Sequence, residues 1–442
     1  MISSNDAWAD IPTRLASLPP PRIPSREFLL DVSNTSREVA RRVLQNAIND
    51  CHQRGGGRVV VPAGEYSING PLTLRSSVDL HLSEGALLRF SGEPADFMPP
   101  VLQRWEGTEV FSHSPLITAD HAHDIAITGR GTIDGQGKRI FESWQPIQKQ
   151  DQSRLRDMGR DGVPLEKRIF GKETRLRPSL FQPINCERVL LEGVTIRDSP
   201  FWTIHPTYCR HVIIRGVTVD SMNFNNDGCD PDSCSDVLIE NCIFRTGDDG
   251  IAIKSGRDQD AWRVARPTER VLVRNCEFFS KINGLCIGSE MSGGVRHIFM
   301  ENCRIAEAAS VLYLKSNADR GGVVEQIFMR NIAIDRSKVA VVRLESNYHS
   351  HRGGNFPSHF RGIDIRDVHC RSADSYGLFL EGSPSCPVSD LTITNLTIDY
   401  AREPVFLRHA NLLSENVVIG SVNLPPNPPQ TPVDHPRLKL TM

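Results

Sequence analysis

A short unit recurs nine times along the chain and restricts the possible folds more than any other feature. Each unit is a brief strand of alternating apolar and polar residues, one glycine, asparagine or aspartate, and a second brief strand. The units are DIAITGRGTI (124–133), RVLLEGVTI (188–196), HVIIRGVTV (211–219), DVLIENCIF (236–244), RVLVRNCEF (270–278), HIFMENCRI (297–305), QIFMRNIAI (326–334), GIDIRDVHC (362–370) and DLTITNLTI (390–398). Beyond the first gap, successive turn residues lie roughly 23–36 residues apart, a spacing typical of solenoids.

A unit of two or three short strands cannot bury its apolar face alone, whereas stacked units bury a continuous core. No unit carries a helix or an LxxLxL pattern, so leucine-rich repeats fit poorly, and a β-sandwich would not repeat one unit. The repeats therefore predict an all-β chain folded as a parallel β-helix. Asparagine–cysteine pairs at 241–242, 275–276 and 302–303 are expected to stack as internal ladders.

The open end of a solenoid needs a cover. In SREVARRVLQNAINDC (36–51), one helical face carries Ala40, Val43, Leu44, Ala47, Ile48 and Cys51, which predicts an N-terminal capping helix. We predict an N-terminal extension (1–30), a β-helix domain (31–425) and an extended, proline-rich C-terminal tail (426–442). Within the domain, residues 134–182 form a basic insertion; such insertions often shape sites, although a solvated loop explains it equally well.

Charge and composition limit the partners. A net charge of −2 gives no general attraction to nucleic acid or anionic membrane, and no run of 18 apolar residues is present. The first residues lack the layout of a secretory signal, which predicts a cytoplasmic protein, or a periplasmic or secreted one whose signal was removed. Eleven cysteines without CxxC or zinc-finger spacing predict buried free thiols and favour a reducing compartment. The oligomeric state is left open.

Polar residues follow the turn residues at similar offsets and should meet along one edge of the solenoid. They are His205 (12 after Gly193), Asp227 (11 after Gly216), Asp248 and Asp249 (7 and 8 after Asn241), Asn283 (8 after Asn275), and Tyr313 and Lys315 (11 and 13 after Asn302). Neighbouring coils lie about 4.8 Å apart, so the three aspartates should be close. Their mutual repulsion should raise at least one carboxyl pKa.

Three clustered carboxylates indicate a metal site or acid–base catalysis. Calcium would need more oxygen ligands, and Lys315 is a poor neighbour for a cation. Hydrolysis of a glycosidic bond instead requires one protonated and one ionised carboxyl group. A purely structural role explains one turn aspartate but not three stacked ones. We therefore predict acid–base catalysis with no metal and no cofactor.

The motifs NNDGCD (225–230), GDD (247–249) and LKSN (314–317), in this order, resemble those of the polygalacturonases, glycoside hydrolase family 28. The likeness spans about residues 30–400. It implies a right-handed parallel β-helix and single-displacement hydrolysis with inversion. By the same resemblance Asp248 protonates the leaving oxygen, Asp227 and Asp249 orient the attacking water, and Asn225 and Lys315 bind substrate.

Two positions depart from the family pattern. Asn283 stands where the family has a histidine beside the acid, and Tyr313 where it has an arginine thought to hold the substrate carboxylate. An asparagine cannot shuttle protons and a tyrosine cannot bridge a carboxylate through two N–H groups. We place Asn283 and Tyr313 among the substrate-binding residues. His205 is placed there too, where it would contact substrate or support Asp227; a histidine bonded to a turn explains it nearly as well.

The leading hypothesis is an inverting glycoside hydrolase for α-linked galacturonate-type (pectic) oligo- or polysaccharides. The segment SPFWTIHP (199–206) and the insertion resemble the exo-acting members. The altered positions leave open a hydrolase of a rhamnogalacturonan or another α-linked sugar. A non-catalytic carbohydrate-binding β-helix is favoured by the missing histidine and disfavoured by the three retained aspartates. A lyase would need calcium and an arginine or lysine base, and neither is evident.

Overall fold

The computed structural model describes residues 4–30, 37–349, 351–432 and 438. Its strands are β1 (Glu27–Leu29), β2 (Gly57–Val61), β3 (Gly64–Ile68), β4 (Leu72–Thr73), β5 (Val78–Leu82), β6 (Ala86–Phe90), β7 (Val101–Trp105), β8 (Thr108–Ser112), β9 (Ile117–Asp120), β10 (His123–Gly129), β11 (Thr132–Asp134), β12 (Phe181–Ile184), β13 (Glu187–Glu192) and β14 (Thr195–Arg197). They continue as β15 (Arg210–Arg215), β16 (Thr218–Ser221), β17 (Ser235–Glu240), β18 (Ile243–Thr246), β19 (Ile251–Ile253), β20 (Thr268–Arg274), β21 (Glu277–Ser280), β22 (Asn283–Ile287), β23 (Val295–Lys315), β24 (Val323–Glu345), β25 (His359–Glu381), β26 (Val388–Arg408), β27 (Ala410–Ile419) and β28 (Val422–Asn423). The helices are α1 (Ser4–Ala16), α2 (Arg37–Gln53), α3 (Phe141–Trp144), α4 (Lys149–Arg160) and α5 (Asp258–Val264), with short 3-10 turns at Pro94–Phe97 and Leu165–Lys167.

The strands stack as a right-handed parallel β-helix, which confirms the predicted fold. Each coil pairs in parallel register with the coils before and after it, so one apolar position repeats along the whole molecule. One such column runs through Val189, Val212, Val237, Val271, Ile298, Ile327, Ile363, Leu391 and Leu412. All of its members are buried, and columns of this kind form the continuous core.

The turn residues adopt the left-handed conformation that the repeats predicted. The backbone φ is 55° at Asn241, 53° at Asn275 and 55° at Asn302, a region that asparagine tolerates better than most residues. The prediction that the asparagine ladder is internal is wrong, because these side chains are exposed at the corner of the coil. The cysteines that follow them are buried. The asparagines do stack at the corner: Asn331 Nδ2 donates to Asn302 Oδ1 at 2.7 Å.

Helix α2 covers the N-terminal end of the core, as predicted. Its face carrying Leu44, Ile48 and Cys51 is buried against the first coil. The helix packs on β2, β3 and β5, so the apolar interior of the first coil is closed to water.

Helix α1 was not predicted; it lies along the outside of the solenoid. Trp8, Ile11 and Leu15 pack on an outward-facing apolar stripe that includes Leu272 and Phe299. Strand β1 pairs in parallel with β2, so residues 27–29 already belong to the sheet. The proposed domain start at residue 31 and most of the tail beyond 432 lie outside the described residues.

Two additions rise above the coils on one side. The antiparallel hairpin β7–β8 precedes β9, and the insertion at 134–182 contains α3 and α4. Helix α4 packs against α5 and β8. In the described part of the chain, no helix has the length and apolar character needed to cross a bilayer.

Candidate active site

One edge of the solenoid carries a polar residue at the same place on three successive coils. Cys229 pairs with Ile251, which pairs with Leu285, and all three side chains are buried. Asp227, Asp249 and Asn283 each lie two residues before these positions, so coil stacking brings them to one edge. Register, rather than sequence proximity, assembles this part of the site.

A cavity of about 510 Å³ opens at this edge. It is lined by seven of the residues singled out from the sequence, namely Asn225, Asp227, Asp248, Asp249, Asn283, Tyr313 and Lys315. The same cavity is lined by residues that sequence reasoning missed, among them Trp202, Lys254, Arg257, Glu290 and Arg320. The structure thus brings the predicted carboxylates into one concave site.

The three aspartates differ in exposure and in charge environment. Asp227 is 3% exposed and Asp249 2%, whereas Asp248 is more accessible at the cavity surface. Burial, with the charges of Asp227 and Asp249 added, raises the pKa of Asp248 well above its ordinary value. Burial also raises the pKa of Asp227, although the ammonium of Lys254 opposes this rise. The larger rise at Asp248 favours its protonated form.

Lys254 holds the acidic groups together. Its Nζ lies 3.2 Å from Asp227 Oδ2, 3.4 Å from Asp230 Oδ1 and 3.4 Å from Glu290 Oε2. The ammonium also lies 3.9 Å from the centroid of the Trp202 ring. Strand alternation could have found this lysine, because Ile251 and Ile253 point into the core and Lys254 therefore points out.

The residue that replaces the family histidine is tied to a carboxylate. Asn283 Nδ2 donates to Asp249 Oδ1 at 2.6 Å, and Lys315 Nζ lies 3.6 Å from Asp249 Oδ2. An amide in this place can orient a carboxylate but cannot exchange a proton with it.

The tyrosine that replaces the family arginine is also held within the protein. Tyr313 donates its hydroxyl to Glu345 Oε2 at 2.6 Å, and Arg343 Nη2 donates to the same oxygen at 2.7 Å. The Arg343 guanidinium lies 4.3 Å from the centroid of the Tyr313 ring. This hydroxyl is therefore engaged with Glu345 rather than free for a substrate carboxylate.

The prediction that His205 contacts substrate or supports Asp227 is wrong. The His205 ring is fully buried and lies outside the cavity lining. Its Nε2 faces Asp232 Oδ2 at 3.5 Å, and its ring packs edge-on against Trp202. Burial lowers the pKa of His205. The prediction fails because of the register: Ile204 pairs with Cys229, so Trp202 rather than His205 lies in register with Asp227 and lines the cavity. Arg104 of the β7–β8 hairpin lies 2.8 Å from Asp232 on the same side.

Asn225 is positioned by an arginine of the insertion. Its backbone is left-handed, with φ of 57°, and its Oδ1 accepts a hydrogen bond from Arg177 Nη2 at 2.6 Å. Arg177 also donates to the carbonyls of Pro200 and Phe224. Asn225 therefore presents its amide nitrogen at the cavity from a fixed loop.

The cavity walls come from the insertion and from the loop after β24. Helix α4 contributes Lys149, Gln152 and Arg156, and the loop contributes Tyr348, His349 and Arg352. The two walls meet where Arg352 Nη1 donates to Asp157 Oδ1 on α4. The insertion is therefore part of the site, rather than a solvated loop. Across the described ranges, no three His, Cys, Asp or Glu side chains group in a way that could hold a metal ion.

Comparison with known proteins identifies the family. The model of "Glycosyl hydrolases family 28" matches residues 51–412, most of the chain. The chain belongs to this family. As a family 28 member it is a glycoside hydrolase, which removes the alternative of a non-catalytic carbohydrate-binding solenoid.

Relatives of this family 28 enzyme include exo- and endo-acting proteins. It is 34% identical to the hyperthermoactive exopolygalacturonase from Thermotoga maritima, with a TM-score of 0.88 and coverage of 93% of this chain and 96% of the other. A Vitis vinifera protein described as "Probable polygalacturonase" is 29% identical, over 81% of this chain and 71% of its own. An endo-polygalacturonase of Pectobacterium carotovorum is 26% identical, over 79% and 81%. The family likeness supports hydrolysis of galacturonan.

Proposed function

We propose that this family 28 enzyme is an exo-acting hydrolase that removes galacturonate units from the ends of pectic chains with inversion. The observation that carries the proposal is the cavity in which Asp227, Asp248 and Asp249 meet beneath two walls joined by the Arg352–Asp157 ion pair. A polymer cannot pass through the place where the walls meet. One chain end therefore fits and an internal segment does not. The exo-acting Thermotoga relative supports this choice over the endo-acting one.

In the proposed reaction Asp248 donates its proton to the glycosidic oxygen as the bond to the anomeric carbon breaks. Asp227 and Asp249 orient a water on the opposite face, and one of them accepts its proton. An inverting acid and base stand about 6.5–9.5 Å apart to admit that water. The raised pKa of Asp248, caused by burial and by the two neighbouring carboxylates, keeps the acid protonated.

A second candidate is hydrolysis of a rhamnogalacturonan or another α-linked sugar. It is favoured by Tyr313, whose hydroxyl is bound to Glu345 instead of offering the guanidinium that the family uses. A neutral ring in this part of the cavity would not need that cation. Asn283 adds a second difference beside Asp249.

The test is product analysis on matched oligosaccharides. Trigalacturonate, longer oligogalacturonates and rhamnogalacturonan oligosaccharides are each incubated with the enzyme, and products are identified by size and by proton NMR at early times. We expect free galacturonate as the first product from every galacturonan length, released as the β-anomer. Mixed internal fragments would contradict exo action, and an initial α-anomer would contradict inversion. Turnover confined to the rhamnogalacturonan series would establish the second candidate.

A further inference from the structure

Arg257 places a guanidinium in the cavity with N–H groups that no protein atom uses. The side chain is 6% exposed and lines the cavity. It donates from Nη1 to Glu290 Oε1 at 3.1 Å, and its Nε and Nη2 have no acceptor among the described residues. An arginine carries five N–H donors, so most of this group's hydrogen-bonding capacity remains available. Because Arg257 lines the cavity, these N–H groups are open to a ligand that accepts hydrogen bonds there.

The backbone around Arg257 is fixed before any ligand arrives. Its N–H donates to the Gly107 carbonyl at 3.0 Å, and the Gly256 carbonyl accepts from the Ser292 N–H at 3.0 Å. A Cβ on Gly107 would lie 2.8 Å from the Arg257 nitrogen and 2.9 Å from Glu290 Cγ. Only glycine therefore allows this close approach. A guanidinium held in this way loses little conformational freedom on binding.

The charges around Arg257 favour an added anion. Burial, followed by repulsion from the guanidinium groups of Arg156 and Arg320, lowers the pKa of Arg257 to about 9. Each of these two arginines is already paired, Arg156 with Glu106 at 2.5 Å and Arg320 with Asp258 at 2.7 Å. A carboxylate on Arg257 would relieve the repulsion among the three cations. A neutral ligand would not.

The position relative to the aspartates selects one sugar unit. Glu290 accepts from Arg257 and also lies 3.4 Å from Lys254, which lies 3.2 Å from Asp227. Arg257 is thus separated from Asp227 by two ion-paired side chains. A terminal sugar unit with its anomeric carbon at Asp227 could therefore extend its carboxylate towards Arg257.

We propose that Arg257 is the specificity-determining residue of this enzyme and binds the carboxylate of the terminal galacturonate through its free N–H groups. The inference rests on the proposed function. The two buried lysines nearest the catalytic aspartates are engaged within the protein: Lys254 is shared among three carboxylates and Lys315 faces Asp249. Recognition of the acid therefore shifts from the position of Tyr313 to that of Arg257.

The kinetic test pairs two substrates with two variants. Trigalacturonate is compared with the same trisaccharide methyl-esterified only on its non-reducing-end unit. Arg257→Met should lower kcat/KM on the free acid by about 100-fold, as loss of charge-assisted hydrogen bonds predicts, and on the ester by less than about threefold. The control is Arg130→Met, because Arg130 is exposed, lies outside the cavity lining and pairs with Glu84. This control should leave both rates unchanged.

A binding measurement separates this inference from the proposed function. In an Asp248→Asn background, calorimetry is used to compare galacturonic acid with galactose. Arg257→Met should weaken the binding of galacturonic acid by about 100-fold and leave the affinity for galactose unchanged. Equal losses for both sugars, or for both trisaccharides, would overturn the role of Arg257 even if the enzyme cleaves galacturonan. A parent enzyme that fails to cleave galacturonan but binds galacturonic acid through Arg257 would contradict only the proposed function. Should Arg257→Met unfold, Arg257→Gln gives the same comparisons.

Discussion

Asp248 combines a position at the cavity surface with two neighbouring carboxylates. The half-buried carboxyl faces the cavity, and its backbone carbonyl accepts hydrogen bonds from Thr246 and Ser280. Burial and the charges of Asp227 and Asp249 make its proton hard to remove. These properties suit a group that must hold a proton near neutral pH and release it only to the breaking bond.

Removing the acidic proton of Asp248 while keeping the shape of its side chain tests this role. Asp248→Asn should lower kcat by about 100-fold or more, because an amide cannot protonate the leaving oxygen. Folding and substrate affinity should change little. The measurement is kcat and KM on trigalacturonate, with Asp220→Asn on the exposed face of β16 as the matched control. Activity of Asp248→Asn within a few-fold of the parent would exclude Asp248 as the acid.

Lys315 should tune the pH dependence of the acid. Its ammonium is among the groups that lower the Asp248 pKa, against the larger upward effects of burial, Asp227 and Asp249. Lys315→Met should therefore raise the Asp248 pKa, and a general acid with a higher pKa stays protonated to higher pH. The alkaline limb of kcat/KM should move upward, while activity on galacturonate oligomers falls by about tenfold.

The pH profile of Lys315→Met is compared with that of Lys138→Met, in which an exposed lysine outside the cavity is removed. The control should superimpose on the parent profile. If the alkaline limb of kcat/KM stays in place or moves to lower pH in Lys315→Met, the pKa of Asp248 does not determine that limb.

For single residues, the sequence predicted which aspartates coil register brings together. It missed contacts made by segments that fold over the coils. Asp227, Asp249 and Asn283 could be placed together because each precedes a paired strand position by two residues. His205 was misplaced, because Ile204 pairs with Cys229 and the residue in register with Asp227 is therefore Trp202. The position of the β7–β8 hairpin, which supplies Arg104 to Asp232, could not be foreseen from residues 101–112. Arg257 was missed because its position depends on contact with Gly107 of the hairpin, which lies far away in the sequence.

Among the elements, α1 stabilises the molecule from outside the solenoid. Its sequence did carry a signal, because Trp8, Ile11 and Leu15 recur at intervals of three and four residues. The strand repeats, by contrast, were readable from their turns alone. An outward-facing apolar stripe was harder to foresee, because strand alternation normally places polar residues there.

Removing the Trp8 side chain should release α1 while leaving the coils folded. Trp8 is 7% exposed and its ring contacts Phe299 and Phe328 at 5.3 and 6.1 Å between centroids. Trp8→Ala should weaken helix docking by about 3–5 kcal/mol, the usual loss for a buried tryptophan. Because each coil is stabilised by its neighbours, the effect should remain local.

Hydrogen exchange tests this prediction, because it measures the protection of amides in each helix and strand separately. Amides of α1 should exchange much faster in Trp8→Ala, and those of β23 and β24 should stay protected. Asp10→Ala, at an exposed position of the same helix, is the control. Loss of protection throughout the β-helix would show that α1 is required for the whole fold.

For the whole molecule, one buried histidine should make the free energy of unfolding fall as the pH is lowered. His113 is 1% exposed, its ring packs edge-on against Trp144, and burial, assisted by Arg175, lowers its pKa to about 4. Between pH 6.5 and 4 the unfolded chain gains a proton at this site and the folded protein does not. The free energy of unfolding should therefore fall by about 3 kcal/mol over that window from this group alone.

Denaturant unfolding at several pH values measures this dependence. His113→Phe should flatten the loss between pH 6.5 and 4, because phenylalanine keeps the ring contact and has nothing to protonate. His52→Phe, at an exposed position, should retain the parent slope. An unchanged slope in His113→Phe would assign the acid sensitivity to other groups.

The eleven cysteines are all unpaired and buried, and they are spread from α2 to the turn before β26. Three of them, at 242, 276 and 303, occupy one interior column on consecutive coils. The folded protein should therefore resist thiol reagents, and each thiol should label only when its own coil opens. Pulsed alkylation followed by peptide mapping would then show the order in which the solenoid comes apart. The native cysteines would therefore report on local opening along the axis of the solenoid without any engineered label.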